Sequence, residues 1–271
     1  MKIGIFDSGI GGLSLLLCAG KLLPRAEFLY FADTDNVPYG EKSREDIIRF
    51  SDTAVDFLYG KGSDAVVVAC NTATSAAIID LRKKYESGDG AIPIVGMEPA
   101  VKRAIDLCSG GRILTAATPL TVKGAKLKNL LDRFDTGKRT DAIPLPGLVR
   151  LAEAGDFNGA EEYIRGEIDS RGIDISRYSA LVLGCTHFNY FKDSFRNILP
   201  DGARIVDGTL GTVSQLLRRL ELEPGKLDGD SVESIMSRTS FFASCRETVD
   251  ENEILRMKKS LMRLEEMEKI D

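Results

Sequence analysis

The chain has 271 residues, 28% of them charged and 43% hydrophobic, with a formal net charge of −5. That length buries one large or two small cores, and the balance of apolar to charged residues excludes wholesale disorder. The acidic balance argues against a nucleic-acid partner held on a basic face, and no apolar run approaches the roughly 20 residues of a membrane helix.

In chain order, β-branched runs predict strands over 2–6, 28–32, 65–69, 92–95, 112–115, 140–143, 181–183, 204–206 and 241–243. Helical spacing predicts helices over 13–22, 43–59, 74–85, 99–108 and 213–222, the second carrying Ile47, Ile48, Val55 and Leu58 on one face. Such alternation implies parallel sheets covered by helices through right-handed crossovers, so the fold class is α/β. A charged amphipathic helix is expected over 251–269, with Ile254, Leu255, Met257, Leu261 and Leu264 apolar; it reads as a terminal helix packed on its own domain. The segments 87–90 and 227–230 read as surface loops.

The short apolar run before Asp7 is too brief for a signal-peptide core. Five cysteines, at 18, 70, 108, 185 and 245, include no CxxC pair. A secreted disulfide framework is therefore not expected, and a reducing, cytoplasmic setting is. Any His-dependent chemistry has one candidate position, His187.

Two segments echo each other. In 66–72 and in 181–187 an apolar strand runs to a small residue, then Cys, then a Thr-containing step into a helix. Ligands of parallel α/β sheets bind at the carboxyl ends of strands, where Cys70 and Cys185 would sit. A helix N-terminus beside each would lower its thiol pKa. The pattern suggests two related half-sites facing one ligand, although unpaired cysteines are also common as buried small hydrophobes.

Opposed thiols suit inversion of a carbon centre: one removes a proton and the other returns one to the opposite face. Asp7 and Ser8 stand at the end of the first strand to assist Cys70, and His187 lies two residues from Cys185. Competing readings are weaker. Cys185-Thr186-His187 lacks a metal-ligand gap, so no metal site is expected. A papain-like pair leaves one cysteine unexplained. The Gly9-Ile10-Gly11-Gly12 loop has Ser14 where a dinucleotide fingerprint needs Gly or Ala, and reads instead as a tight turn admitting a small ligand to the backbone. The segments 4–17, 31–40, 66–81 and 181–191 contain no Lys or Arg. An anionic substrate among them would be held by neutral donors, namely Ser8, Asn71, Thr72, Thr186 and helix N-termini, and no Lys is there for pyridoxal phosphate.

FDSGIGGLSLL, YFADTDNVPYGEKS, VVACNTATS, PIVGMEPAVK and LGCTHF, in this order, resemble glutamate racemase. The resemblance runs from residue 3 to about 210, and the FFASCR stretch extends it. It implies a cofactor-independent, two-base enzyme interconverting L- and D-glutamate, the latter for peptidoglycan. It also implies two pseudosymmetric, doubly wound parallel-sheet domains with the active site between them, here 1–96 plus 208–271, and 97–207. Cys70 assisted by Asp7, and Cys185 assisted by His187, would be the acid/base pairs, with Glu153 supporting the histidine. Ser8, Tyr39, Gly40, Asn71, Thr72 and Thr186 would hold the carboxylates and ammonium, and Thr118 and Thr121 would close the far side. A homodimer is the family's common state. Some activator-regulated members carry an N-terminal extension, which a chain starting at its first strand is expected to lack.

The chain departs from the family pattern at Leu145, where Cys is common, at Asn189, where Pro is, and at Gly124 and Leu127, where Ser and Tyr are. The last three are expected to reshape the pocket rim or dimer contacts, and they bear on the assignment of Thr118 and Thr121. Racemases of aspartate or of a hydantoin share the two-cysteine logic, and a non-catalytic amino-acid-binding protein on the same fold is the reading from another class.

Overall fold

The computed structural model describes residues 1–97, 100–108, 110–227, 229–244, 246 and 249–270. The strands are β1 (Lys2–Asp7), β2 (Glu27–Ala32), β3 (Ala65–Val68), β4 (Ile94–Gly96), β5 (Arg112–Ala117), β6 (Thr140–Pro144), β7 (Tyr178–Leu183), β8 (Arg204–Asp207) and β9 (Thr239–Ala243). The helices are α1 (Leu13–Leu22), α2 (Arg44–Gly60), α3 (Asn71–Tyr85), α4 (Val101–Leu107), α5 (Pro119–Lys123), α6 (Ala125–Phe134), α7 (Pro146–Ala154), α8 (Ala160–Ser170), α9 (Lys192–Arg196), α10 (Thr209–Arg219), α11 (Val232–Ser237) and α12 (Glu251–Met267).

The strands form two parallel sheets, one five-stranded in the order β4-β3-β1-β2-β9 and one four-stranded in the order β6-β5-β7-β8. Helices cover both faces, so the central strands read as continuous apolar runs. Ile3, Ile5, Phe6 and all four residues of β3 are fully buried. Each buried Val or Ile contributes about 1.5–3 kcal/mol. After β8 the chain returns to the first sheet, where α10 packs on α1 and β4, and α12 packs on α1.

Each expected strand is present, with ends moved by one to three residues, and the helix starts differ for identifiable reasons. α3 begins at Asn71, not 74, because Cys70 is its N-cap: the Ala73 N–H donates to Cys70 Sγ at 3.4 Å. α10 begins at Thr209, not 213, because the Thr209 N–H is taken by Asp207 Oδ1 at 2.8 Å. The helix expected over 99–108 runs from Val101 to Leu107, its expected start at Pro99 lying outside the described residues. The step after Cys185 is a 3₁₀ segment, Thr186–Phe191, and not an α-helix. In α12, Leu255 is half exposed while Met267 is buried, so the apolar face is shifted from the expected one. Cys18 and Cys108 are buried free thiols, and Cys245 lies outside the described residues. The 87–90 loop is exposed; the 227–230 loop includes Asp228, also outside them.

Among the described residues, no helix is long and apolar enough to cross a membrane, and no group of three or more His, Cys, Asp and Glu is placed to hold a metal ion.

Candidate active site

The carboxyl ends of the central strands of the two sheets face one cleft. β1 delivers Asp7 and Ser8, β3 delivers Cys70, β5 delivers Thr118, and β7 delivers Cys185 and His187. Ser8, Pro38, Tyr39, Gly40, Glu41, Cys70, Thr72, Thr118, Pro119, Pro146, Val149, Cys185, Thr186 and His187 line it, so both cysteines border the same space and no Lys or Arg does. Its free volume is about 20 Å³, room for about one water. Contacts that span it include Thr72 Oγ1, 3.1 Å from Thr118 Oγ1, and the pair of Arg150 on α7 with Glu41.

On the Cys185 side the histidine is held at both nitrogens. Its Nδ1 lies 3.8 Å from Cys185 Sγ and its Nε2 lies 2.7 Å from Glu153 Oε1. Glu153 reaches this position because Pro146, Val149 and Glu153 recur at helical spacing on one face of α7. Burial alone would lower the His187 pKa, but Cys185 and Glu153 outweigh it and hold the ring well above its usual value. Burial would likewise raise Glu153; the His187 ring, the Ile10 N–H and Arg256 reverse that and keep it a carboxylate.

On the Cys70 side, burial raises the thiol pKa to about 12, and Asp7 adds to it, against the opposing Ala73 N–H and Ser8 hydroxyl. The expectation that a helix N-terminus lowers this thiol is therefore overturned: the N–H is present, but desolvation and a nearby carboxylate exceed it. The Cys70 thiol donates to Ser8 Oγ at 3.6 Å. Asp7 is fully buried, and burial lifts its pKa to about 6 despite the opposing charge of His187. Its Oδ1 accepts the Gly9 N–H and its Oδ2 accepts the Thr186 hydroxyl at 3.1 Å, across the two sheets.

An acid whose folded pKa is raised stabilises the fold only below its unfolded pKa of 3.8, and loses that contribution as pH rises through about 6. Asp7→Asn is therefore expected to raise stability at pH 8 by on the order of 1–3 kcal/mol while lowering turnover. Urea melts at pH 5 and pH 8 check this. A variant less stable than the parent at pH 8 contradicts it.

The glycine loop after β1 has a different use from the one its sequence suggests. A Cβ on Gly9 would lie 1.8 Å from Glu153 Oε1, and one on Gly11 would lie 2.4 Å from Thr186 Oγ1 and 2.6 Å from His187 Nδ1. The glycines let side chains of the other sheet approach this backbone, and the Ile10 N–H donates to Glu153 Oε1 at 2.9 Å. Tyr30 and Tyr190 fix the loop by donating to the Gly9 and Ile10 carbonyls.

The remaining expected residues divide by what their atoms already hold. The Tyr39 hydroxyl donates to Asp33 Oδ2 at 2.6 Å, and the Thr186 hydroxyl is on Asp7, so neither hydroxyl is open to the cleft. Gly40 packs where a Cβ would meet Thr118 at 2.8 Å. Thr118 both lines the cleft and caps α5; Thr121 stands behind it, accepting its hydroxyl hydrogen at 3.0 Å. Asn71 is outside the lining, and its Oδ1 is buried without a hydrogen-bond partner among the described residues. Leu145 and Leu127 are core residues, and Gly124 joins α5 to α6. Asn189 donates to the Thr186 carbonyl and borders a separate cavity of about 330 Å³ behind α1. None of these four lines the cleft. Glu41 and Val149 adjoin expected site residues, Gly40 in sequence and Glu153 one helical turn on, whereas Arg150, Tyr190 and Arg256 carry no signal in the sequence, since each joins the site through contacts distant in the chain.

The sequence profile of the Asp/Glu/Hydantoin racemase family matches residues 16–216. The chain is 50% identical to a glutamate racemase of Campylobacter curvus, over 98% of each chain. It is similar in structure to Escherichia coli glutamate racemase solved with L-glutamate and the activator UDP-MurNAc-Ala, with TM-score 0.79 and 28% identity over 97% of this chain and 94% of that one. Francisella tularensis glutamate racemase, solved with D-glutamate, gives TM-score 0.74 and 25% identity over 96% and 93%. By profile, sequence and fold together, the chain belongs to the Asp/Glu/Hydantoin racemase family of isomerases.

Proposed function

We propose that this chain interconverts L- and D-glutamate by a two-base mechanism without a cofactor, supplying D-glutamate for peptidoglycan in the cytoplasm. The observation that carries the reading is the placement of Cys70 and Cys185 on one cleft, each with its own proton partner. In one direction Cys185 removes the α-proton beside the charged His187, and Cys70, kept protonated by burial, delivers its proton to the opposite face. In the reverse direction the roles exchange, with Asp7 as the carboxylate beside Cys70. Asp7 ionises through about pH 6, so kcat/KM is expected to rise through that pH.

Neutral donors suit glutamate's two carboxylates. Ser8 supplies a hydroxyl, Thr72 supplies another once its contact with Thr118 parts, and the first turn of α3 offers the Asn71 and Thr72 N–H groups at the positive end of the helix. Asn71 Oδ1, buried outside the lining and without a partner among the described residues, becomes an acceptor for the ammonium as the cleft opens. These donors also stabilise the charge that develops on the α-carboxylate as the proton leaves. A free volume of about 20 Å³ is far below that of an amino acid, so the bodies 1–96 plus 208–271 and 97–207 part to admit it.

The test is loss of optical rotation from separate solutions of D-glutamate, D-aspartate and a chiral hydantoin, with no cofactor added. Decay with glutamate alone supports the reading. Decay only with another substrate moves the specificity, and binding without decay removes the activity. Because enantiomers are equal in free energy, kcat/KM must be equal in the two directions for the parent and for every variant.

A further inference from the structure

Arg256 stands out once every charged group near the cleft is assigned. It lies on the C-terminal helix α12, in a run of charges that reads as a solvated face, and its side chain is 44% exposed. Yet its Nη2 donates to Glu153 Oε2 at 2.7 Å and also to the Glu153 backbone carbonyl. The other carboxylate oxygen, Oε1, is filled by His187 Nε2 and the Ile10 N–H. Both oxygens of Glu153 are thus engaged, and Arg256 is the group that fixes the one the histidine does not use.

The helix that carries Arg256 is itself anchored. An Asp250–Glu253 capping box starts it, and Lys21 on α1 binds Glu268 just beyond its last turn at 2.6 Å. Seven residues after Arg256, on the same face, Arg263 donates to Asp193 and to the Tyr190 carbonyl. The C-terminal helix is therefore packed on α1 and on the 3₁₀ segment Thr186–Phe191, and two of its guanidinium groups reach residues of the second-sheet side.

We propose that Arg256 is a positioning residue for the reaction: it clamps Glu153 in the orientation that holds His187 against Cys185, so the C-terminal helix sets the geometry of the second acid/base pair. This rests on the reading that His187 serves Cys185. An exposed ion pair contributes little to stability by itself, so the effect is one of orientation. Among the described residues, the charged and titratable groups that act on the ring include Asp7 from β1, Cys185 after β7 and Glu153 from α7, with Arg256 from α12 on the far side of Glu153.

The sequence has a single histidine, so in untagged protein with ¹⁵N-labelled histidine both ring-nitrogen signals belong to one imidazole, that of His187. The parent is expected to show a downfield, slowly exchanging Nε2–H resonance. In Arg256→Met that resonance should move upfield or be lost to exchange, with kcat falling on the order of tenfold and KM changing by less than about twofold. Arg256→Lys, which keeps the charge but on a shorter side chain that cannot carry its nitrogen to the Nη2 position, should be intermediate in both. Lys258→Met, which lies on the same helix as Arg256 and breaks a pair with Glu233 of α11, should match the parent. A parent-like resonance and kcat in Arg256→Met overturn the proposal. Should Arg256→Met fail to fold, a lysine variant identical to the parent in both readouts does so. If the parent does not racemise glutamate yet the resonance responds to Arg256→Met, the functional reading fails and the positioning role stands.

Discussion

Cys70→Ser and Cys185→Ser are each expected to lower kcat for glutamate racemisation by about 10²–10⁴-fold, the range for one positioned acid/base group. A serine hydroxyl is nearly isosteric with the thiol but is far too weak an acid to exchange a proton near neutral pH. Structural damage is a poor explanation for such a loss. Serine is a better N-cap than cysteine, so α3 keeps its first turn when Cys70 is replaced. Cys185 is 6% exposed and makes its contact with His187 Nδ1, which a hydroxyl can also accept or donate to. Circular dichroism of the fold beside optical rotation of the substrate separates the two effects. Either variant retaining turnover within about tenfold of the parent would leave that thiol without the assigned role.

Gly11→Ala carries the second large effect. Its new methyl would lie 2.4 Å from Thr186 Oγ1 and 2.6 Å from His187 Nδ1, so one or both must move. The atoms displaced are those that join Asp7 to the other sheet and orient the Cys185 pair. Overpacking of this kind costs roughly 1–3 kcal/mol of stability. Displacement of a catalytic group by about 1 Å costs on the order of 10²-fold in rate. Gly155→Ala is the comparison, because Gly155 has φ +70 at the end of α7 but open space around it. That variant should lose stability through backbone strain and keep its kcat. Similar kcat losses in both would mean that the glycine loop acts through folding alone.

The two cases show what local sequence carries and what it does not. Strands such as 65–68 are legible because four successive apolar residues, three of them β-branched valines, are buried on both faces. Asp7, Cys70, Cys185 and His187 were legible because strand ends in an α/β fold are where a ligand site forms, and the two Cys segments repeat. The start of α3 was not, since a cysteine cap leaves no signature of the Ser/Thr/Asp/Asn kind. Arg256 and Tyr190 were not, since their site contacts join residues 103 and 180 positions apart. The Cys70 thiol departs from its expected pKa because helix position is visible in a sequence, whereas complete desolvation beside Asp7 appears only once the sheets are assembled. The uses of Thr186 and Tyr39 changed for the same reason: their hydroxyls are consumed by Asp7 and Asp33.

The central claim is that two opposed thiols share one substrate, and early-time isotope incorporation tests it most directly. One enantiomer of unlabelled glutamate is incubated with the protein in D₂O, and both enantiomers are separated and weighed by mass spectrometry before a tenth has reacted. Two bases on opposite faces predict that the product enantiomer carries one deuterium at Cα while the recovered substrate remains protiated. Deuterium appearing equally in recovered substrate and product would mean that one group serves both faces, and would contradict the account.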